Sequence, residues 1–238
     1  MSETWTITKK ELAGYFDSLS GYIVLIAFLG FTGFFTWLYG SDIFIRKQAD
    51  LLVFFSIAKW TLFFFIPAIT MRLISEEKNT GTIELLLTKP ISEMHLVLGK
   101  FFAAFLLVAI ALGLTLIYYI SISYLGKVDH GAIVSGYLGL LLFSAAYIGI
   151  GIWASSVTKN QIVAFLLALF IGIFFQIIFD ILSQSMTGMM GKVFDFMSLS
   201  SHLDSISRGV WDTRDIIYFL TVALFGIQLA KENLASGN

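Results

Sequence analysis

Long apolar runs broken by short polar segments constrain this 238-residue chain more than any other feature. A helix needs about twenty predominantly apolar residues to cross the hydrocarbon core of a bilayer. The pattern predicts six such helices, over residues 21–39, 51–71, 96–122, 133–154, 162–182 and 216–230. The last is short and has to borrow from its flanks. Between Gly113 and Gly139 the apolar pattern is nearly continuous, but Gly126, Lys127, Asp129 and His130 form a polar break, and one span across it would be far too long. Two helices are expected there. Hydrophobic residues make up 58% of the chain and charged residues 13%, whereas a soluble domain needs roughly a quarter charged residues to cover its surface. The alternating segments of about ten residues that mark an outer-membrane barrel are absent. The fold class is therefore all-α and integral to a membrane.

The flanks of the spans carry their own signals. Residues 1–20 are polar and amphipathic: Thr8-Lys9-Lys10-Glu11 reads as a capping box, followed by Leu12, Tyr15, Phe16 and Leu19 at helical spacing. This predicts an interfacial helix along the membrane surface. A cleavable signal is not expected, because the first apolar stretch is of full membrane length and lacks a small-residue cleavage site. Thr158-Lys159-Asn160-Gln161 reads as a second capping box and predicts a tight turn between the fourth and fifth spans. Lys9, Lys10, Arg72, Lys78, Lys89, Lys100, Lys159 and Lys231 fall on one side, and Arg46, Lys47, Lys127, Lys192, Arg208 and Arg214 on the other. That bias places both termini in the cytoplasm. The outer segment 183–215 mixes apolar residues with Ser, Asp and Gly, so one or two short helices at or dipping into the outer interface are expected. No internal repeat supports an inverted-repeat carrier.

A net charge of −1 without a basic cluster excludes a nucleic-acid partner. With no cysteine, disulfides, thiolate metal sites and cysteine nucleophiles are excluded together. His95, His130 and His202 lack metal-ligand spacing, so no metal is assigned. Lys59 is the one basic residue inside a span; it either lines a pathway or, beside Trp60, snorkels to the boundary, with Asp180 as a conceivable partner. Ala109 with Gly113, Ala145 with Gly149, and Gly151 with Ser155 are spaced for close helix packing, within the chain or across a dimer. The phenylalanine pairs read as lipid-facing or packing residues.

The most informative stretch is residues 75–92, between the second and third spans. Thr80 or Gly81 can cap a helix start, Glu84 falls in its first turn, and Pro90 forces a stop. Ser92 then caps the third span, and Gly99-Lys100 marks its entry into lipid, with Lys100 able to snorkel to the phosphates. Ile83, Leu85, Leu86 and Leu87 form an apolar ridge, flanked by Glu76, Glu77 and Glu84. Two readings follow from the residues alone: an amphipathic helix on lipid headgroups, or a lever that tilts both spans when another protein pushes on it.

Glu76-Glu77, Gly81-Thr82, Glu84, Leu86, Pro90 and Gly99-Lys100 together resemble the motif of the ABC-2 type transporter permeases. The amphipathic N-terminal segment, the turn at 158–161 and Arg208-Gly209 ahead of the last span also fit, so the resemblance covers essentially the whole chain. It implies six transmembrane helices, an N-terminal interfacial helix and a cytoplasmic coupling helix. The coupling residues it implies are Glu76, Glu77, Gly81, Thr82, Glu84, Leu85, Leu86 and Pro90, docking on an ABC ATPase subunit. It further implies a second permease chain, as homodimer or heterodimer, and a place in the bacterial cytoplasmic membrane in contact with lipid. The stretches at 71–77 and 210–215 look like the permease subunit associated with gliding motility in Bacteroidota, so export and a non-transporting role in a motility or secretion complex are both carried forward.

No G-x-x-x-x-G-K-[ST] phosphate loop occurs, since Gly99-Lys100 lacks the upstream Gly and the following hydroxyl residue. ATP and Mg are thus expected on the partner, with no cofactor in this chain. Intramembrane proteolysis has no support: the G-x-S-G and H-E-x-x-H motifs are missing, no span carries a histidine, and Glu76-Glu77 is not followed by Arg. A secondary carrier would need ionisable groups at mid-membrane, and only Lys59 comes near.

Overall fold

The computed structural model describes residues 3–38, 50–83 and 92–235, and every regular element among them is helical. Helix α1 (Glu3–Asp17) meets α2 (Leu19–Trp37) at a bend of 73°. Gly21 permits the bend, because a Cβ there would lie 2.5 Å from the carbonyl oxygen of Tyr15. The Ser18 hydroxyl donates to the Gly14 and Tyr15 carbonyls, which α1 leaves open as it ends. Next come α3 (Leu52–Thr70) and the short α4 (Ser75–Thr80). After residues outside those described, α5 (Glu93–Leu114) and α6 (Leu116–Leu125) follow, broken only at Thr115. Helix α7 (His130–Val157) leads to α8 (Gln161–Ile173), which continues through a π-helical turn (Phe174–Ile178) into α9 (Phe179–Ser185). The chain then folds through α10 (Met189–Met197) and α11 (Leu199–Ser207) into α12 (Thr213–Ala235).

Five of these runs are long and apolar enough to cross a membrane: Leu52–Thr80, Glu93–Leu125, His130–Val157, Gln161–Ser185 and Thr213–Ala235. The bent pair of α1 and α2 provides a sixth when counted together. The protein is therefore a multi-pass membrane protein with an all-helical fold. Because the spans alternate in direction, α1, α4 and the C-terminal part of α12 gather at one end, here the α4 end. Helices α10 and α11 lie at the far end.

Helix α7 is the axis of the bundle, touching α3, α5, α8, α11 and α12. Its small residues set the spacing. Gly149 lies so close to α12 that a Cβ on Gly226 would fall 2.4 Å from the Gly149 backbone. Without a hydrophobic driving force between helices in lipid, such backbone-to-backbone approach is what gains dispersion energy. Larger side chains fill the rest: Phe63 stacks on Tyr147 at 5.8 Å, and Phe54 packs on Tyr137 at 5.5 Å. The Ala145–Gly149 and Gly151–Ser155 pairs thus face partners inside the chain, whereas Gly113 faces open space.

Two capping expectations need correction. Thr8 does not open α1, which is already helical from Glu3; its hydroxyl donates to the Thr4 carbonyl at 2.8 Å and the Gly99 carbonyl at 3.1 Å. At the turn after α7, the cap is Asn160 rather than Thr158, its side chain accepting from the Ile162 amide at 2.9 Å. Gly81, at φ +71°, is the left-handed residue that closes α4, and the chain is helical again at Thr82 and Ile83, so the helix start expected at Thr80 or Gly81 falls at this boundary. Ser92 does cap α5, accepting from the His95 amide at 3.3 Å.

Candidate functional site

The α4 end contains a connected set of polar side chains whose partners come from four different helices. Helix α1 lies along the start of α5 in a ladder. Glu3 meets His95 at 3.3 Å, Ile7 and Thr8 sit against Gly99, and Glu11 meets Lys100 at 3.3 Å. Gly99 is small for a plain reason: a Cβ there would fall 2.6 Å from the Ile7 side chain. Higher on α1, the Tyr15 hydroxyl donates to the Ile69 carbonyl at 2.9 Å while Arg72 lies over its ring at 5.0 Å. Helix α1 is therefore packed on the ends of α3 and α5 by side chains that point inward.

Lys100 was expected to snorkel toward lipid phosphates, but it points into the protein. Its side chain is 1% exposed and its ammonium donates to Glu77 Oε1 at 2.8 Å and to Glu11 Oε1 at 3.3 Å. Burial holds the Glu77 carboxyl above the usual carboxylate range, and the Lys100 ammonium only partly offsets this. The other oxygen of Glu77 is buried with no hydrogen-bond partner among the described residues. Above these groups opens a cleft of about 560 Å³ lined by Lys10, Glu11, Tyr15, Arg72, Glu76 and Glu77, among others.

A second set of bonds fastens α4 to α7. The Ser155 hydroxyl accepts from the Ile74 and Ser75 amides at 3.1 and 3.0 Å and donates to the Met71 carbonyl at 2.9 Å. These are the backbone groups freed where α3 gives way to α4. Lys78 donates to the Ser156 carbonyl, and Asn233 of α12 donates to the Ser156 hydroxyl at 3.2 Å. Burial, with repulsion from Lys159, holds the Lys78 ammonium below its ordinary range.

Of the residues singled out in the sequence, Glu76, Thr80, Gly81 and Thr82 are exposed on or beside α4, Glu77 is half-buried in the ion-pair hub, and Ile83 is buried. Glu84, Leu85, Leu86, Leu87 and Pro90 lie outside the described residues. Lys59 sits elsewhere. It is 8% exposed, about 10 Å inside the far end of α3 at a helical rise of roughly 1.5 Å per residue. Its ammonium donates to the Ser200 hydroxyl at 2.9 Å and to Asp204 at 3.0 Å. The snorkelling reading thus gives way to an ion pair with α11 in which Lys59 is buried and Asp204 half-exposed, and Asp180 instead accepts from Gln184. Close by, His202 is held between the Asp215 carboxylate at 2.7 Å and the Phe196 carbonyl at 2.9 Å and stacks on Tyr218. Among the described residues, no group of three or more His, Asp or Glu side chains could hold a metal ion.

Residues 5–210 match the family model described as ABC-2 family transporter protein. The chain belongs to that family. No curated protein matches it. As an ABC-2 family member it is the membrane permease of an ABC transporter and not itself the ATPase. The sequence motif of this permease gains a structural sense at its two ends: Glu77 and Lys100, 23 residues apart, meet across α4 and α5, and Gly99 makes room for α1 beside them. Ser156 escaped sequence reasoning, and Glu11 and Ser155 were read in other roles. Glu11 was absorbed into a presumed capping box, Ser155 was read only as a small packing residue, and Ser156 sits in an apolar run where hydropathy treats it as filler.

Proposed function

We propose that this permease couples ATP hydrolysis by a separate nucleotide-binding subunit to movement of its spans, with residues 75–92 as the docking element. One observation carries the reading. The connection is bound at Ser155 to α7, at Lys100 to α5 and, through Lys100, to α1, so a push on it is delivered to several spans at once. A helix resting on headgroups would not need these internal anchors. Family members work with an ATPase subunit, and the excess of Lys and Arg at the α4 end supports placing that end and both termini in the cytoplasm, where ATP is available. Glu76 and the exposed Thr80–Thr82 turn offer polar contacts, and Leu85 and Leu86 the apolar ones, with Pro90 ending the segment.

The test is co-purification in mild detergent with the cognate ATPase, comparing wild type with Leu86→Asp. Burying one leucine contributes roughly 1.5 to 3 kcal/mol, so the charge should weaken association by at least about tenfold while membrane insertion is unchanged. Unaltered association by a normally inserted Leu86→Asp chain returns the segment to the lipid-anchor reading. The same purification identifies whether a second permease copy or a different chain completes the dimer. The likeness of residues 71–77 and 210–215 to gliding-type permeases makes a motility complex of a bacterial inner membrane the proposed setting, with export as the general family role; deletion of the gene in a gliding host with retained gliding would remove the motility part.

A further inference from the structure

We infer that Lys100 is a positioning residue that carries movement of the 75–92 connection into the third span, through a buried ion-pair hub with Glu77 and Glu11. The inference rests on the coupling reading above. Its first support is geometric: three elements separated by 23 and 89 residues in sequence meet at one ammonium nitrogen, 2.8 and 3.3 Å from the two carboxylates. Its second is that the hub has no slack. Lys100 is 1% exposed and α1 is held beside it by the Thr8 bond to the Gly99 carbonyl and by the fit of Ile7 against Gly99. When α4 shifts, the start of α5 and α1 must shift with it or the ammonium loses its partners.

A buried charge pair adds little net stability, because desolvation offsets the Coulomb gain, but removing one partner leaves an uncompensated charge. Glu77 illustrates the cost, with one oxygen buried and without a partner among the described residues. A pair of this kind is better suited to fixing the register of three elements than to holding the fold together. Lys10, 3.7 Å from Glu11 at the exposed rim, completes the hub with a second cation. Without Lys100 the Glu11 and Glu77 carboxylates would face each other across the base of the cleft, and α1 and α4 would separate.

The absence of cysteine lets two labels be placed at will. Thr82→Cys marks the connection and Tyr124→Cys, 88% exposed, marks the far end of the third span. Spin-label distances are measured in nanodiscs with the ATPase bound, with and without ATP and vanadate. We expect a nucleotide-dependent distance shift in the otherwise unaltered chain. In Lys100→Met the shift is lost although ATPase affinity stays within about threefold, and in Lys100→Arg it is retained. If Lys100→Met does not insert, Lys100→Gln, which keeps a donor and the packing, is read in the same way. A full shift in the uncharged variant overturns the inference, as does loss of the shift in Lys100→Arg or its absence from the otherwise unaltered chain with ATPase bound. Failure of the otherwise unaltered chain to bind the ATPase instead overturns the coupling reading itself.

Discussion

The same change, glycine to alanine, should have opposite effects at two positions that look alike in sequence. At Gly226 an added Cβ would sit 2.4 Å from the carbonyl carbon and oxygen of Gly149, where ordinary van der Waals contact begins at 3.4 Å. Both neighbours are backbone atoms, so no side chain can rotate away, and α7 and α12 must part by about 1 Å in an interior packed to crystal density. Overpacking of this kind costs about 1–3 kcal/mol. Parting the helices also thins dispersion contacts along the rest of their seam. At Gly113, in the last turn of α5, the same Cβ meets nothing within 4 Å, and replacing a helical glycine with alanine stabilises by up to about 0.5–1 kcal/mol. Unfolding titrations of the chain alone in mixed micelles, followed by the fluorescence of its five tryptophans, give the comparison. Gly226→Ala should be less stable than wild type by about 2 kcal/mol, roughly 30-fold in the unfolding equilibrium, and Gly113→Ala equal or more stable. Equal shifts in one direction at both sites would refute the claim that α7 and α12 touch backbone to backbone.

At the far end, Asp204→Asn leaves the buried Lys59 ammonium without its counter-charge and should cost about 2 kcal/mol or more, whereas Lys59→Met fills the same volume, leaves the half-exposed Asp204 to water and should cost under about 1 kcal/mol. The reverse order in thermal unfolding would contradict the ion-pair assignment. Because burial raises the Glu77 carboxyl above its unfolded value, the folded state binds that proton more tightly than the unfolded one. The cost of ionised Glu77 is therefore fully present at high pH and is relieved as pH falls through the folded value toward the ordinary glutamate value of about 4.3. The stability difference between wild type and Glu77→Gln, measured against pH, should shift in favour of wild type on acidification; a flat difference would show that Glu77 titrates normally.

The helical membrane class was legible because apolar runs of spanning length announce themselves, and Gly126 to His130 broke the one ambiguous run where α6 ends and α7 begins. Which way a polar residue faces was not. Lys100 at a span entrance reads as a snorkelling lysine until α1 is known to cover that side of α5, and its partner Glu11 lies 89 residues away. Lys59 and Asp204 are separated by 145 residues, and nothing local in either stretch indicates the pairing. The capping box at Thr8 failed for a different reason: tertiary packing extends α1 back to Glu3 and recruits the Thr8 hydroxyl for the Gly99 carbonyl, overriding a local signal that fits equally well. Gly81 was legible as a helix boundary, with Thr82 and Ile83 helical after it; that its left-handed backbone also closes the helix before it is what a glycine after Thr80 could have suggested.

Site-specific crosslinking tests the central claim, that the α4 end is where the ATPase acts. In the cysteine-free chain, a photoreactive label at Thr82→Cys should capture the ATPase in intact complex, while the same label at Tyr124→Cys, at the opposite end of the bundle, should not. Capture from Tyr124 and none from Thr82, in a complex shown to be intact, would contradict the account.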